Sequence, residues 1–476
     1  VRNTAPQPVF NTAMGIAVTD SLGWSVDAGL PTSRGFKRFE CAAPPGSGRN
    51  LSDTTVHWFP SGLPEDEFGN SLEGGKMDFS CDGFKTWGGA EQYHTCINWS
   101  SKANYDPVKR RVLWMTKGTG SGHHEYNFNT LAIYRLGIDE QEGWHAIRGF
   151  QATTPYDVGD PTGLPLTHYF GNNCIDVVGR RMYKKQFQTK NSTGVPGYSG
   201  PFHVFNLDSD IYQPNDIAKV NCFEPSMLAP ADDPYAAGMG PMDFIPTRGS
   251  RGTLWYSNAS GNPRIYEYDV ATGTGSRADW VVIAPGGLMP DIPSNFRAAD
   301  SMGLMVYQKR AFGGAGGVII FGGSGYGGKP ATTYMWTVGT HGSKLPYGDP
   351  NGPQVYRIDG AHLPFTLGGG INGGEGHVVP HPDPAFDGWL LFPMGNSTLP
   401  ENDVVWYLAG NPSATWQKLL DANGNVYQMP TNAAPMGPTV TIEELGVCWI
   451  VGQRPSSGVY TTPRAWLFKP ASGDHT

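Results

Sequence analysis

The sequence predicts an all-β fold, a β-propeller of six or seven blades. Three observations predict it. The 476 residues hold 65 Gly and 40 Pro, with 12% aromatic and only 16% charged residues. That is the composition of many short strands joined by turns rather than of helices. From about residue 93 onward, apolar runs bounded by turn clusters recur in units of roughly 45–65 residues, as in a radially repeated sheet. The last unit is one strand short, and a ring of blades that cannot bury their faces alone is closed by a strand from elsewhere in the chain. An irregular N-terminal extension, residues 1–92, is expected to supply it from near Trp24 or Trp58, leaving 93–476 as the propeller. The competing fold is a β-sandwich with long loops.

The units follow in order. In the extension, Thr54–Phe59 alternates clearly enough to be a strand. The first unit reads Cys96–Tyr105, Arg111–Thr116, Leu131–Leu136 and Gly143–Ile147; the second, His168–Val177, Arg181–Phe187 and Phe202–Leu207. A third holds Met242–Ile245, Gly252–Ser257, Arg264–Val270 and Asp279–Ile283. The fourth holds Phe296–Gln308, Gly317–Gly323 and Thr333–Val338, with Gln354–Ile358 trailing. A fifth covers Gly376–His381, Trp389–Pro393, Val404–Leu408 and Thr415–Leu419; the last, Thr439–Ile442, Val447–Gly452 and Ala465–Lys469.

Charge excludes some functions. The net charge is −8 and the pI about 5.8, without the basic stripe of a nucleic-acid binder. The densest basic runs, Lys109–Arg111, Arg180–Arg181 and Lys184–Lys185, fall at strand edges and turns and are expected on a solvated face. No apolar stretch is long enough to span a bilayer as a helix. The opening Val1–Pro6 lacks a charged segment followed by an apolar core, so no secretory signal is expected there. The six cysteines include no Cys-x-x-Cys pair, which disfavours a zinc knuckle or redox pair. Cys174 and Cys448 lie in apolar strand patterns and are expected as reduced core residues. The sequons at Asn50, Asn98, Asn191, Asn258 and Asn396 matter only in a eukaryotic secretory host.

Two segments draw several histidines toward one mouth of the ring. With strands A to D ordered from the axis outward, loops joining B to C and D to the next A share a face. Gly122-His123-His124-Glu125-Tyr126-Asn127-Phe128-Asn129 falls in the B–C loop of the first unit, and Thr167-His168-Tyr169 at the start of strand A in the next. Asn295–Arg297 and Glu375–His377 hold the corresponding positions elsewhere.

Trp99 and Asn104–Pro107, then Gly-His with Tyr and Asn behind it, then Pro165-x-x-His168-Tyr169, resemble the motifs of a kelch-like β-propeller family frequent among bacteriophage virion proteins. The closing Arg464–Pro470 resembles that family's last strand, and the resemblance covers roughly residues 93–470. It departs in two places. Thr119-Gly-Ser-Gly122 replaces a run of glycines, and Leu166-Thr167 stands where the family carries Ser-Arg. A more distant similarity runs to propeller lyases that cleave ulvan-type uronic-acid polymers.

Three functions follow from the resemblance and the residues. The first is a virion structural propeller on the tail or capsid surface. Its partners would be host surface polysaccharide or neighbouring virion proteins, within a homo-oligomer or larger assembly, with neither nucleic acid nor membrane. His124, Tyr126, Phe128 and His377 are its candidate binding residues, with Tyr169, Tyr198 and Trp389 as further aromatics. The second is a polysaccharide lyase, in the virion or secreted. β-Elimination needs a base for the proton α to the carboxylate, donors for the enolate and an acid for the leaving oxygen. His168 or Tyr169 would be the base, His123 its partner, and Asn129 and Arg297 the carboxylate clamp. The same His and Asn residues also suit a structural use, hydrogen-bonding buried loop backbone. The third is an intracellular kelch-type adaptor. No cofactor is expected. Asp421–Asn425 has alternating oxygens as calcium loops do, yet lacks the closing Glu and reads as a turn. His377 and His381 lie four apart, but Pro380 and Pro382 exclude the helix that would align them for zinc.

Overall fold

The computed structural model describes residues 35–39, 102–116, 132–137, 144–149, 171–185, 202–208, 223–230, 240–257, 264–284, 304–322, 332–344, 349–358, 377–393, 404–420, 424–429, 435–452, 455–456, 459–460 and 464–470. All the regular structure among them is β-strand or short 3₁₀ turn. Strand β1 is Gly35–Phe39. The first consecutive sheet is β2 (Asn104–Asp106), β3 (Arg111–Thr116), β4 (Ala132–Gly137) and β5 (Trp144–Gly149). The second is β6 (Asn173–Asp176), β7 (Arg181–Lys185), β8 (Phe202–Asn206) and β9 (Phe223–Met227). The third is β10 (Met242–Ile245), β11 (Thr253–Ser257), β12 (Ile265–Asp269) and β13 (Trp280–Ala284). The fourth is β14 (Leu304–Gln308), β15 (Gly317–Gly322), β16 (Thr332–Thr337) and β17 (Val355–Ile358). The fifth is β18 (His377–Pro380), β19 (Trp389–Phe392), β20 (Trp406–Leu408) and β21 (Gln417–Lys418).

A further four-stranded sheet joins β22 (Pro435–Ile442), β23 (Val447–Gly452) and β26 (Arg464–Lys469) to β1, in the order β1-β26-β23-β22. The ribbon β24 (Pro455–Ser456) and β25 (Val459–Tyr460) stands apart. Inner strands touch in a closed cycle, β2 to β6 to β10 to β14 to β18 to β22 and back to β2. The chain is therefore an all-β propeller. No seventh four-stranded sheet occurs among the described residues, which corrects the seven-blade alternative. The strand at the outer edge of the last sheet comes from residues 35–39, not from near Trp24 or Trp58. Thr54–Phe59 lies outside the described residues. The fourth strand of the second unit, β9, escaped sequence reading because Phe-Glu-Pro-Ser-Met carries no alternation.

Among the described side chains, apolar faces pack sheet on sheet from second to third, third to fourth, fourth to fifth and fifth to last. Trp255, Trp336, Trp389 and Trp449 are fully buried. Leu304, Ile319 and Met335 of the fourth sheet pack with Val378, Trp389 and Trp406 of the fifth. Phe202 of the second stacks on Trp280 of the third at 4.7 Å between ring centroids. Buried indoles need an acceptor, and several find one on the preceding sheet. Trp280 Nε1 donates to the Leu228 carbonyl at 2.8 Å, Trp389 Nε1 to the Val306 carbonyl at 3.1 Å, and Trp416 Nε1 to Thr333 Oγ1 at 3.0 Å. Apolar area drives the sheets together, and these bonds fix their order.

Candidate functional site

All inner strands run the same way along the axis, so the channel has two chemically different ends. At the end where they begin, buried polar side chains link one sheet to the next. Asn104 Nδ2 donates to Asn173 Oδ1 at 2.7 Å, from the first sheet to the second. Lys184 Nζ donates to Asn172 Oδ1. His377 Nδ1 lies 3.0 Å from Thr439 Oγ1, joining the fifth sheet to the last. The Ala103 amide donates to the Thr439 carbonyl at 3.3 Å. Burial pushes the Lys184 ammonium well below the ordinary lysine range, and the neighbouring Lys185 adds to the shift. Such burial disfavours the charged form of the amine. The belt links neighbouring sheets through hydrogen bonds.

Lys102 spans the channel. Its ammonium donates to Asp243 Oδ1 at 2.8 Å and to the carbonyls of Met242 and Met305 at 3.2 and 3.4 Å, tying the first sheet to the third and fourth. Asp243 also accepts from the amides of Phe244 (2.9 Å) and Tyr307 (2.8 Å).

From this pair a cavity of about 610 Å³ runs to the A–B turns. Its walls are Ile175, Val306, Val378 and Val379 with the rings of Tyr105 and Tyr307. Around its mouth, Lys309 and Arg310 bind the two oxygens of Glu443, the first at 2.8 Å. Glu444 Oε1 accepts from Arg110 and from the Tyr105 hydroxyl, both at 2.5 Å. Each described charged side chain along the cavity is thus already paired.

The A–B turns also lock neighbouring sheets. Asp106 is fully buried and receives Arg180 of the second sheet through two bonds, 2.6 and 2.8 Å, and Arg111 at 3.2 Å. Burial alone would raise the Asp106 carboxyl, but the bonds and charges of Arg180 and Arg111 hold it below its usual 3.8. The same position in the second sheet, Asp176, accepts the Gly179 amide at 2.7 Å on one oxygen. Its other oxygen has no hydrogen-bond partner among the described residues. Burial keeps Asp176 above the usual value despite that amide and the charges of Arg251 and Arg181. Arg110 and Arg180 both adopt left-handed backbone, φ 49° and 56°, the mark of one repeated turn. Farther round, buried Arg248 grips Glu267 and donates to the carbonyls of Val338 (2.5 Å) and Ser343 (2.8 Å) on the fourth sheet.

These contacts correct two sequence expectations. Arg111 and Lys184 are 2% and 3% exposed and Lys185 is fully buried, so these three do not lie on a solvated face, whereas Lys109 is exposed and Arg110, Arg180 and Arg181 are half-buried. Trp389 is fully buried with its indole on Val306, so it presents no surface to a sugar. His123, His124, Tyr126, Phe128, Asn129, His168, Tyr169, Tyr198 and Arg297 lie outside the described residues. His377 opens β18 and is 5% exposed. His381 is engaged locally: its Nδ1 accepts the Asp383 amide at 3.1 Å and its ring packs on Phe386 at 4.5 Å. Among the described residues no cluster of three metal-ligating side chains occurs, and no helix is long and apolar enough to cross a membrane. Next to the oxygen-rich turn, Leu420 bridges Val426 and Gly424 takes φ 78°; Asp421 to Asn423 lie outside the described residues. Cys174 and Cys448 are buried free thiols.

Sequence reading missed Lys102, Asn104, Asn172, Asp243 and the Glu443–Glu444 pair. A usable signal existed for the turns. Asp106 and Asp176 each stand five residues before an Arg that closes the turn, within Asp-x-x-x-Arg-Arg.

Comparison with known proteins finds no matching family model and no matching curated relative. Solved structures match over much of the chain at low similarity. An α-L-arabinanase of Penicillium chrysogenum, seen with arabinobiose, shares 11% identity at a TM-score of 0.39 and covers 79% of this chain and 98% of its own. The NanB sialidase of Streptococcus pneumoniae shares 10% at 0.42, covering 78% and 68%. The Cps50 (Swd1) β-propeller domain of Myceliophteria thermophila shares 8% at 0.37, covering 79% and 98%.

Proposed function

We propose that this chain is a six-bladed, kelch-like structural and binding propeller of a bacteriophage particle, with the shared sheet as its sixth blade. It would meet host glycan or a neighbouring virion protein through the end where the inner strands begin. One observation carries the scaffold reading. The described charged groups along the axis, Lys102, Asp243, Lys309, Arg310, Glu443 and Glu444, are all engaged in ion pairs between sheets. Groups so committed rigidify a ring and leave no described acid–base pair for proton transfer. The belt of Asn104, Asn172, Asn173 and Thr439, buried and hydrogen-bonded between sheets, would hold rigid the strand starts that carry the binding loops. The motif resemblance supports the virion setting.

The test has two arms. Purified chain is mixed with ulvan, alginate, pectin, heparinoids and capsular polysaccharides while ultraviolet absorbance and retention are recorded. The expected result is retention of a glycan without unsaturated product. An absorbance rise abolished by His168→Ala would replace the proposal with the lyase. In the second arm, particles produced with the tagged chain are purified and probed by peptide mass spectrometry. Absence of the chain from them would refute the virion setting.

A further inference from the structure

We propose that the axial cavity at the A–B end is a binding site for an uncharged aromatic small molecule. It lies at the opposite end of the axis from the proposed glycan face and does not rest on that reading. The site is made by closure of the ring. Five inner strands each line the cavity with a half-buried residue: Tyr105, Ile175, Asp243, Tyr307 and Val440. Its volume of about 610 Å³ falls within the roughly 300–1,000 Å³ of small-molecule sites.

Charge and hydrogen bonding select the ligand. At the floor, the three donors of Lys102 go to Asp243 and to the carbonyls of Met242 and Met305, and Asp243 also accepts the amides of Phe244 and Tyr307. Gln308 is used at both ends: its Nε2 donates to the Gly388 carbonyl at 2.8 Å and its Oε1 accepts the Arg310 amide at 3.2 Å. The Thr441 hydroxyl donates to the Pro380 carbonyl at 2.6 Å. At the mouth, Glu443 and Glu444 hold Lys309, Arg310 and Arg110. A charged molecule or a sugar would have its polar groups desolvated against side chains already committed. An apolar body has no such cost and gains burial against Ile175, Val306, Val378 and Val440.

Two tyrosines point to an aromatic body. Tyr105 lies on β2 and Tyr307 on β14, three steps apart around the closed cycle of inner strands, so they stand on opposite walls. Both hydroxyls are tied down: that of Tyr105 donates to Glu444 at 2.5 Å, and that of Tyr307 lies 2.9 Å from Thr247 Oγ1. The rings thus remain as lining. Rings on facing walls favour a planar aromatic occupant over an aliphatic one. Such a ligand would touch sheets on both sides of the axis and brace the closed ring, stabilising the folded chain by mass action.

A matched pair of fluorescent probes tests this on the full chain: uncharged N-phenyl-naphthylamine and its sulfonated counterpart, anilinonaphthalene sulfonate. The uncharged probe is expected to bind saturably, one per chain, and at least about tenfold more tightly than the sulfonate, whose charge would be desolvated without a partner. Val440→Trp, which fills the cavity from β22, is expected to weaken the uncharged probe at least about tenfold. Ile175→Trp, filling it from β6, serves where the first variant fails to fold, as judged by circular dichroism. Val178→Ser, on a turn tip that is 78% exposed, is expected to leave binding unchanged. No saturable binding of the uncharged probe to the unmodified chain would overturn the proposal. Equal affinity for the sulfonate would do the same, by showing a cation left free at the mouth. So would binding that survives a folded cavity-filling variant or is lost in Val178→Ser, either of which would place the probe outside the cavity.

Discussion

Asp106 and Asp176 occupy the same turn in adjacent sheets, yet replacing each with Asn should move stability in different directions. Asp106 accepts three bonds from two guanidinium groups, at 2.6, 2.8 and 3.2 Å, and is fully buried. Asn keeps the shape and the bond from the Val108 amide at 3.1 Å, but removes the negative charge facing Arg180 and Arg111. Breaking one side of a buried pair costs about 3–5 kcal/mol. Arg180 also holds Asp208 at 3.0 Å, which leaves part of its charge compensated, so about 3 kcal/mol is expected. At Asp176 the Asn oxygen can still accept the Gly179 amide, while an uncharged group replaces the carboxylate oxygen that lacks a partner. The change should be neutral or stabilising by up to about 1 kcal/mol at pH 7.

The pH dependence supplies the sign. The Asp106 carboxyl is held below its usual value, so its stabilisation is present above the unfolded-state value. It disappears as pH falls through the lowered folded value. The Asp176 carboxyl is raised, so its penalty is absent in acid and grows as pH climbs through the usual aspartate range to the raised folded value. Urea unfolding followed by tryptophan fluorescence, at pH 7 and at stepwise lower pH, measures both. A loss below about 1 kcal/mol for D106N, or equal losses for the two variants, would refute the argument.

Arg248→Met should cost about 3–5 kcal/mol by leaving Glu267 buried with only the Trp255 indole, and Glu267→Leu added to it should recover most of the loss; a urea double-mutant cycle decides. Gly252→Ala should destabilise by about 2–5 kcal/mol in thermal unfolding, since φ there is 88° and a Cβ would stand 2.2 Å from the Phe244 ring. Cys174 and Cys448, whose thiols burial pushes up, should resist an aromatic disulfide reagent in the native chain and react on unfolding; peptide mapping would show early modification if they were accessible.

The strand period was readable because each blade repeats the same demand: a second strand buried on both faces, as in Thr253–Ser257 and Trp389–Phe392. The ring-closing strand was legible as a missing partner but not as a place. Gly-Phe-Lys-Arg-Phe carries two cations and sits at an edge, where little periodicity is imposed. The axial residues were harder. Lys102 and Asp243 lie 141 positions apart, and nothing local marks either as a partner. Arg180 looked solvated because a cation in a turn usually is, and only the folded ring brings Asp106 beneath it. The histidine motifs fall on segments outside the described residues, so their geometry adds nothing to what their spacing says.

Closure by β1 has a consequence for biosynthesis. Gly35 pairs with Lys469, almost the whole chain apart. Strand β1, made before the five consecutive sheets, therefore waits, unpaired, until β26 leaves the ribosome. Partial sheets can form on the way, because five of them use consecutive strands, but the ring stays open and its last apolar face uncovered. A message truncated just before the codons for Arg464–Lys469 would yield a chain able to build most blades and unable to close any ring. Such products should be found in aggregates or bound to chaperones rather than as soluble fragments.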